Sequence, residues 1–130
     1  MEQFMASRAL HVAVAKEADR RPPIPADERN LLAGAKVYAN NCAVCHGVLG
    51  ETDRSPIAAG MFPSPPPLLP PSRGVTDDRA GETHWKVHNG IRLTGMPGFE
   101  GALTEEEQWQ VSLLLQQAGQ LPPAVQEALK

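Results

Sequence analysis

Cys42-Ala43-Val44-Cys45-His46 holds both cysteines of the chain and one of its four histidines. Two thiols two residues apart can reach the two vinyl groups on one edge of a porphyrin and join them as thioethers. The residue that follows then places an imidazole beneath the iron. The C-x-x-C-H spacing reads as a c-type haem attachment site. Shuffling this composition produces the pattern in on the order of one chain in a thousand. Other uses of the cysteines fit less well. A thioredoxin-like dithiol needs a strand before it and a βαβ setting, whereas the residues before Cys42 are patterned as a helix. A zinc site could recruit His84 and His88, which have H-x3-H spacing, but they lie far along the chain and His46 is left without a role. A plain disulfide, or two idle thiols, leaves the adjacent histidine to chance.

An iron held by one histidine needs a second axial partner if it is to carry electrons without binding small molecules. The methionines are Met1, Met5, Met61 and Met96. Met96 lies in Thr94-Gly95-Met96-Pro97-Gly98-Phe99, which reads as a loop because two glycines permit tight turns and Pro97 fixes its own φ. Beside C-x-x-C-H it is the first candidate for the sixth ligand, although methionine is in general a filler of core gaps. Met61 is a weaker rival, with packing against the haem edge as its expected role. His84 and His88 are a second rival; at i, i+4 they share a helix face, where a solvated or half-buried position is the ordinary expectation. His11 reads as a surface residue.

Length and composition frame these motifs. The chain has 130 residues, 42% of them hydrophobic and 21% charged, with a net charge of −3. One domain accounts for that length, and the acidic balance gives no footprint for nucleic acid. No apolar run reaches the roughly 20 residues of a membrane span. Only 5% of residues are aromatic, so a cofactor would supply core mass that a small domain otherwise lacks. Seven of the thirteen prolines lie between Pro56 and Pro71, most of them in Pro63-Ser64-Pro65-Pro66-Pro67-Leu68-Leu69-Pro70-Pro71, which cannot be helix interior. On its own this run reads as a polyproline spacer or a ligand for a proline-reading domain.

Helix signals flank the loops. Asp27 is an N-cap for a helix running to about Asn40 or Asn41, with Leu31, Ala35 and Tyr38 on one face. Gly34 inside it costs about 1 kcal/mol against alanine, which a close helix crossing would explain. Residues 47–75 read as loop and residues 78–89 as helix. Thr104 with Glu107 forms a capping-box pattern ahead of a helix whose apolar side is Trp109, Val111, Leu113, Leu114 and Leu115. Leu121-Pro122-Pro123 ends it, leaving residues 124–130 for a short surface turn. Residues 1–28 read as an N-terminal extension or linker, broken by Pro22, Pro23 and Pro25, and residues 29–130 as the domain. Glu2, Arg8 and His11 interrupt any signal-peptide apolar stretch.

Taken together, Cys42-Ala43-Val44-Cys45-His46-Gly47 and the downstream Gly95-Met96-Pro97 resemble a monohaem class I cytochrome c. Gly34 and Tyr38 are similar to the glycine and aromatic pair of that family's first helix, and Trp109–Leu115 to its last. Asn89–Pro97 resembles the methionine loop of bacterial, often membrane-tethered, members. The sequence departs from the family at Leu114, where an aromatic is frequent, and in its long proline cluster. The resemblance spans about residues 29–120.

The resemblance implies an all-α cytochrome c fold, with three main helices and long loops around one covalent haem c. It implies attachment through Cys42 and Cys45, ligation by His46 and Met96, and a proline carbonyl that orients the imidazole through its Nδ1. Pro66 with Leu68 is the first choice for that segment and Pro67 with Leu69 the second. Trp85 could meet a haem propionate or simply pack in the core; Arg92 could pair with a propionate or stay exposed. The implied activity is single-electron transfer between redox proteins of a respiratory or related chain, not enzymatic turnover. Partners would be an oxidase, a dehydrogenase or a membrane complex, reached outside the cytoplasmic membrane in the periplasm, with an anchor only if one has been removed. Two ionised propionates would take the ferrous protein from −3 to about −5 by formal charges. The competing reading is a haem-based sensor or small haem enzyme with a displaceable sixth ligand. A zinc-stabilised binding module is the third.

Overall fold

The computed structural model describes residues 18–51 and 53–130. Regular structure among them is entirely helical: α1 (Glu28–Asn41), α2 (Ala43–His46), α3 (Pro56–Ala59), α4 (Ala80–Asn89), α5 (Glu105–Gln116) and α6 (Pro123–Ala128). The three longer helices and long loops expected from the sequence are present. The readings made for residues 1–17, His11 among them, lie outside the described residues.

α1 starts where the sequence marks it. The Asp27 carboxylate accepts the Asn30 N–H at 2.9 Å, satisfying one of the free donors of the first turn. The helix then crosses α5 at Gly34. A Cβ there would overlap the Gln110 carbonyl oxygen, with its carbon at 2.8 Å and Leu114 Cβ at 3.2 Å, so only glycine lets the two backbones approach this closely. Leu31, Ala35 and Tyr38 of α1 share one buried cluster with Trp109, Val111, Leu114 and Leu115 of α5. Each fully buried aliphatic side chain contributes about 1.5–3 kcal/mol. Leu114, where the family often has an aromatic, is fully buried at the crossing.

The crossing also encloses polar groups that periodicity does not reveal. Gln108, Gln110 and Ser112 are buried. Gln110 Nε2 donates to Asn30 Oδ1 at 3.1 Å, and Asn30 Nδ2 donates to the Pro25 carbonyl at 2.9 Å. Ser112 Oγ donates to the Gln108 carbonyl at 2.7 Å. These pairings avoid the penalty of about 1–3 kcal/mol for an unsatisfied buried group.

α5 opens with the anticipated capping box: the Glu107 N–H donates to Thr104 Oγ1 at 3.1 Å, and the Thr104 N–H to Glu107 Oε1 at 2.9 Å. Two elements differ from the sequence reading. α4 begins at Ala80, two residues late, with Arg79 at the cap position in extended conformation and making no side-chain capping hydrogen bond. The 47–75 loop contains the short α3, signalled by Ser55 as N-cap and Pro56 at the first helical position, a combination that suits a helix start. The C-terminal turn is the expected short, mostly exposed helix, anchored where α6 packs on α1 through the buried Val125 and, just beyond it, Leu129. The chain before α1 also lies against the helices. Ala18 is buried, Asp19 pairs with Arg79, and the Arg20 guanidinium sits 5.4 Å from the Trp109 ring centroid.

Candidate haem site

The two cysteines stand where α1 passes into α2. Cys42 ends α1, its N–H donating to the Tyr38 carbonyl at 2.8 Å, and the His46 N–H closes the next turn on the Cys42 carbonyl at 2.9 Å. The Tyr38 hydroxyl reaches past the motif and donates to the Gly47 carbonyl at 2.6 Å, fastening this segment to the helix core. Burial holds the Tyr38 hydroxyl above its usual pKa, so it remains a donor.

Cys42, Cys45 and His46 line one side of a cleft of about 630 Å³, measured out to its open mouth. Met61, Pro65 and Pro66 come from the proline-rich loop, and Ile91, Met96 and Phe99 from the loop after α4. None of the lining residues is an Asp, Glu, Lys or Arg. The cleft is therefore an apolar, uncharged space with two thiols, an imidazole and two thioethers on its walls.

The imidazole is oriented. His46 Nδ1 lies 2.6 Å from the Pro66 carbonyl oxygen; a carbonyl only accepts, so Nδ1 carries the proton and Nε2 keeps its lone pair. Burial lowers the His46 pKa, opposed by that hydrogen bond, so the ring is neutral as a metal ligand must be. The Pro67 carbonyl is engaged elsewhere, by Ser72 Oγ at 3.0 Å. Burial, then the neighbouring Cys45, pushes the Cys42 thiol up to about 12. A thiol held that high is protonated at neutral pH and is no redox nucleophile.

The loop carrying Met96 hangs from the end of α4. Gly90, at φ +74°, turns the chain out of the helix, and a Cβ there would come within 2.8 Å of the Met96 carbonyl oxygen. The Phe99 N–H donates to the Val87 carbonyl at 2.8 Å. Thr94 holds the turn: its hydroxyl donates to the Ile91 carbonyl at 2.6 Å and accepts the Met96 N–H at 3.2 Å.

Other residues singled out in the sequence are not among those that line this cleft. Leu68 is buried in the helical core, and Pro67 and Arg92 are exposed. Trp85 lines a second, polar cavity with Arg20, His84, His88 and Asn89. His84 is buried, contrary to the solvated or half-buried position expected, because it stacks on Trp109 with ring centroids 4.0 Å apart. Its Nε2 lies 3.1 Å from Glu105 Oε1, and His88 Nδ1 is 2.9 Å from Gln108 Oε1. The structure thus separates both histidines from the cysteines, and among the described residues no three His, Cys, Asp or Glu side chains form a metal-holding group. The residues around the cleft fit a covalent haem, by donor chemistry and by lining, better than zinc or a dithiol.

Comparison with known proteins decides the family. The sequence model of the family described as "Cytochrome C oxidase, cbb3-type, subunit III" matches residues 29–113, more than half the chain. The chain belongs to the class I cytochrome c family. It is 35% identical over 78 residues to "Cytochrome c6" of Limnospira maxima, covering 60% of this chain and 81% of that protein. A chain of the "Kuenenia stuttgartiensis reducing HAO-like protein complex Kustc0457/Kustc0458" superposes with a TM-score of 0.57 at 25% identity. That match covers 72% of this chain and 45% of the other, so this cytochrome spans less than half of that chain's length. As a cytochrome c the protein carries covalent haem c and serves electron transport, and Cys42 and Cys45 are the only cysteines available to hold the haem.

Proposed function

We propose that this cytochrome is a single-electron carrier whose haem is held through Cys42 and Cys45 and ligated by His46 and Met96. The observation that supports the reading is one uncharged cleft lined by both cysteines, by an imidazole whose Nδ1 is already engaged, and by the Met96 thioether. When bound, the haem supplies one-electron chemistry between ferrous and ferric iron. The Pro66 carbonyl fixes the plane and tautomer of His46 and makes it a better donor. Met96, a soft ligand, favours the ferrous state and raises the potential. The uncharged lining acts the same way, because a low-polarity wall penalises the extra positive charge of the ferric centre.

The protein's role in this reading is to exchange electrons with other redox proteins, not to transform a substrate. An oxidase, a dehydrogenase or a membrane complex is the class of partner, and the cbb3-type oxidase in the family's description favours the first. Contacts of this kind are small and short-lived. The acidic balance suits a partner with a basic docking patch. The periplasm or an equivalent compartment outside the cytoplasmic membrane is the proposed location. Residues 29–130 form the proposed haem-binding domain and residues 1–28 the extension.

Mass, spectrum, potential and carbon monoxide binding test the proposal. Intact mass and the visible spectrum of the reduced protein report one haem per chain that survives denaturation. Met96→Ala lowers the midpoint potential and opens the iron to carbon monoxide; an unchanged potential removes Met96 as ligand. Rapid, complete carbon monoxide binding by the unaltered reduced protein at neutral pH would instead favour a ligand sensor.

A further inference from the structure

Met61 and Met96 both line the cleft, yet the reading above uses only the second. Met61 follows α3, which is tied to the cysteine motif: Ser55 caps α3 by accepting the Ala58 N–H at 3.1 Å, and its hydroxyl donates to the Val44 carbonyl at 2.7 Å. The Met61 N–H returns to the Ala58 carbonyl at 3.2 Å. The chain then sends neighbouring side chains opposite ways. Met61 is half-buried in the cleft, while Phe62 is 82% exposed.

The far end of Met61 meets the loop of Met96. A Cβ added to Gly95 would overlap the Met61 Cε methyl and lie 3.9 Å from its Sδ. The methyl therefore occupies the place a side chain at 95 would take, on the residue immediately before Met96. From within, that loop is held by the Thr94 turn and by the Ile91 N–H on the Met96 carbonyl at 3.3 Å. Met61 reaches it from the proline-rich loop, on another wall of the cleft.

We propose that Met61 is a positioning residue that braces Gly95, holds the Met96 loop against the cleft and slows replacement of Met96 by external ligands. The inference rests on Met96 being the sixth ligand. Its physical basis is packing: a flexible thioether side chain fills an irregular gap, and contacting residues couple energetically where distant ones do not.

The test uses the ferric holoprotein and follows imidazole binding by stopped flow, alongside the sulfur-to-iron charge-transfer absorption and the midpoint potential. Met61→Ala keeps the sulfur absorption but captures imidazole about tenfold faster, the size of coupling expected between touching residues. Met61→Leu, which keeps the volume without the sulfur, restores the slow rate. Gly95→Ala pushes the Met61 methyl aside and accelerates capture without altering residue 61; combined with Met61→Ala it adds less than the sum of the two. Met96→Ala is the control for the ligand itself, losing the sulfur absorption. An unchanged imidazole rate in both Met61→Ala and Gly95→Ala overturns the bracing role while leaving Met96 as ligand. Failure of Met61→Leu to restore the rate also overturns it, since the sulfur and not the packing would then matter. If Met96→Ala keeps the sulfur absorption and Met61→Ala loses it, Met61 is itself the ligand and both readings fall.

Discussion

At the α1–α5 crossing, Ala35, Val111 and Leu114 have no exposed surface, and Tyr38 and Trp109 have 1%. At the cleft, Cys42, Cys45, His46, Met61 and Met96 are all partly exposed, and two of its walls are loops. The first region is two helices pressed together at one glycine. The second is held by individual hydrogen bonds at the Tyr38 and Ser55 hydroxyls, which donate, and at the Pro66 carbonyl and Thr94 hydroxyl, which accept from His46 and Met96. Stability is concentrated where backbones interlock, and redox chemistry where side chains converge from separate segments. Substitutions should therefore divide cleanly: those at the crossing change unfolding, and those at the cleft change potential and ligand exchange.

The largest effect belongs to the crossing. Gly34→Ala forces a methyl against the Gln110 backbone, which cannot yield as a flexible side chain would. The expected cost is about 3 kcal/mol or more, read by denaturant unfolding of the holoprotein. An unchanged midpoint would mean that the helices do not depend on this close approach. In the cleft, Met96→Ala should move the potential by roughly 0.1 V or more, a modest part of the ~0.8 V span that axial ligands command. Potentiometry checks it, and a much smaller loss of stability than in Gly34→Ala would sharpen the division.

Acidification probes the crossing from its polar side. Burial holds the pKa of His84 below the ordinary 6.5; Glu105 opposes the shift, and Arg20 and His88 add to it. The unfolded chain therefore takes up this proton before the folded one does. Stability from this site is present above 6.5 and falls as pH drops through that value toward the lower folded pKa. Thermal melts of the holoprotein between about pH 8 and pH 5 should show the loss. His84→Phe, which keeps a ring over Trp109, should flatten the slope; an identical slope would assign it to other groups.

Tyr38→Phe joins the two regions, since it removes the bond from α1 to the Gly47 carbonyl. About 1 kcal/mol of stability should go, with a small change in potential, measured on one sample. Smallest is Thr94→Val, which deletes the turn contacts of the Met96 loop. It should cost about 0.5 kcal/mol and accelerate imidazole capture, with Thr94→Ser restoring the rate. A global stability loss as large as that of Gly34→Ala would erase the distinction between the regions.

What could be read in advance was local. C-x-x-C-H places two sulfurs and an imidazole on adjacent turns of chain, so the spacing alone implies the cofactor. The Asp27 cap and the Thr104–Glu107 box likewise depend on residues three apart, and Gly34 announced a close crossing by its cost in a helix. The tertiary structure decided what meets across distance. The Pro66 carbonyl, not that of Pro67, faces His46 twenty residues away. Gln110 pairs with Asn30 across eighty, His84 is carried under Trp109, and Met61 lies against Gly95. The prolines are alike in type and spacing, and a histidine on a helix face has no intrinsic preference between solvent and an aromatic ring. Such choices follow from which segments the packed helices bring within a few ångströms, and no local pattern records that.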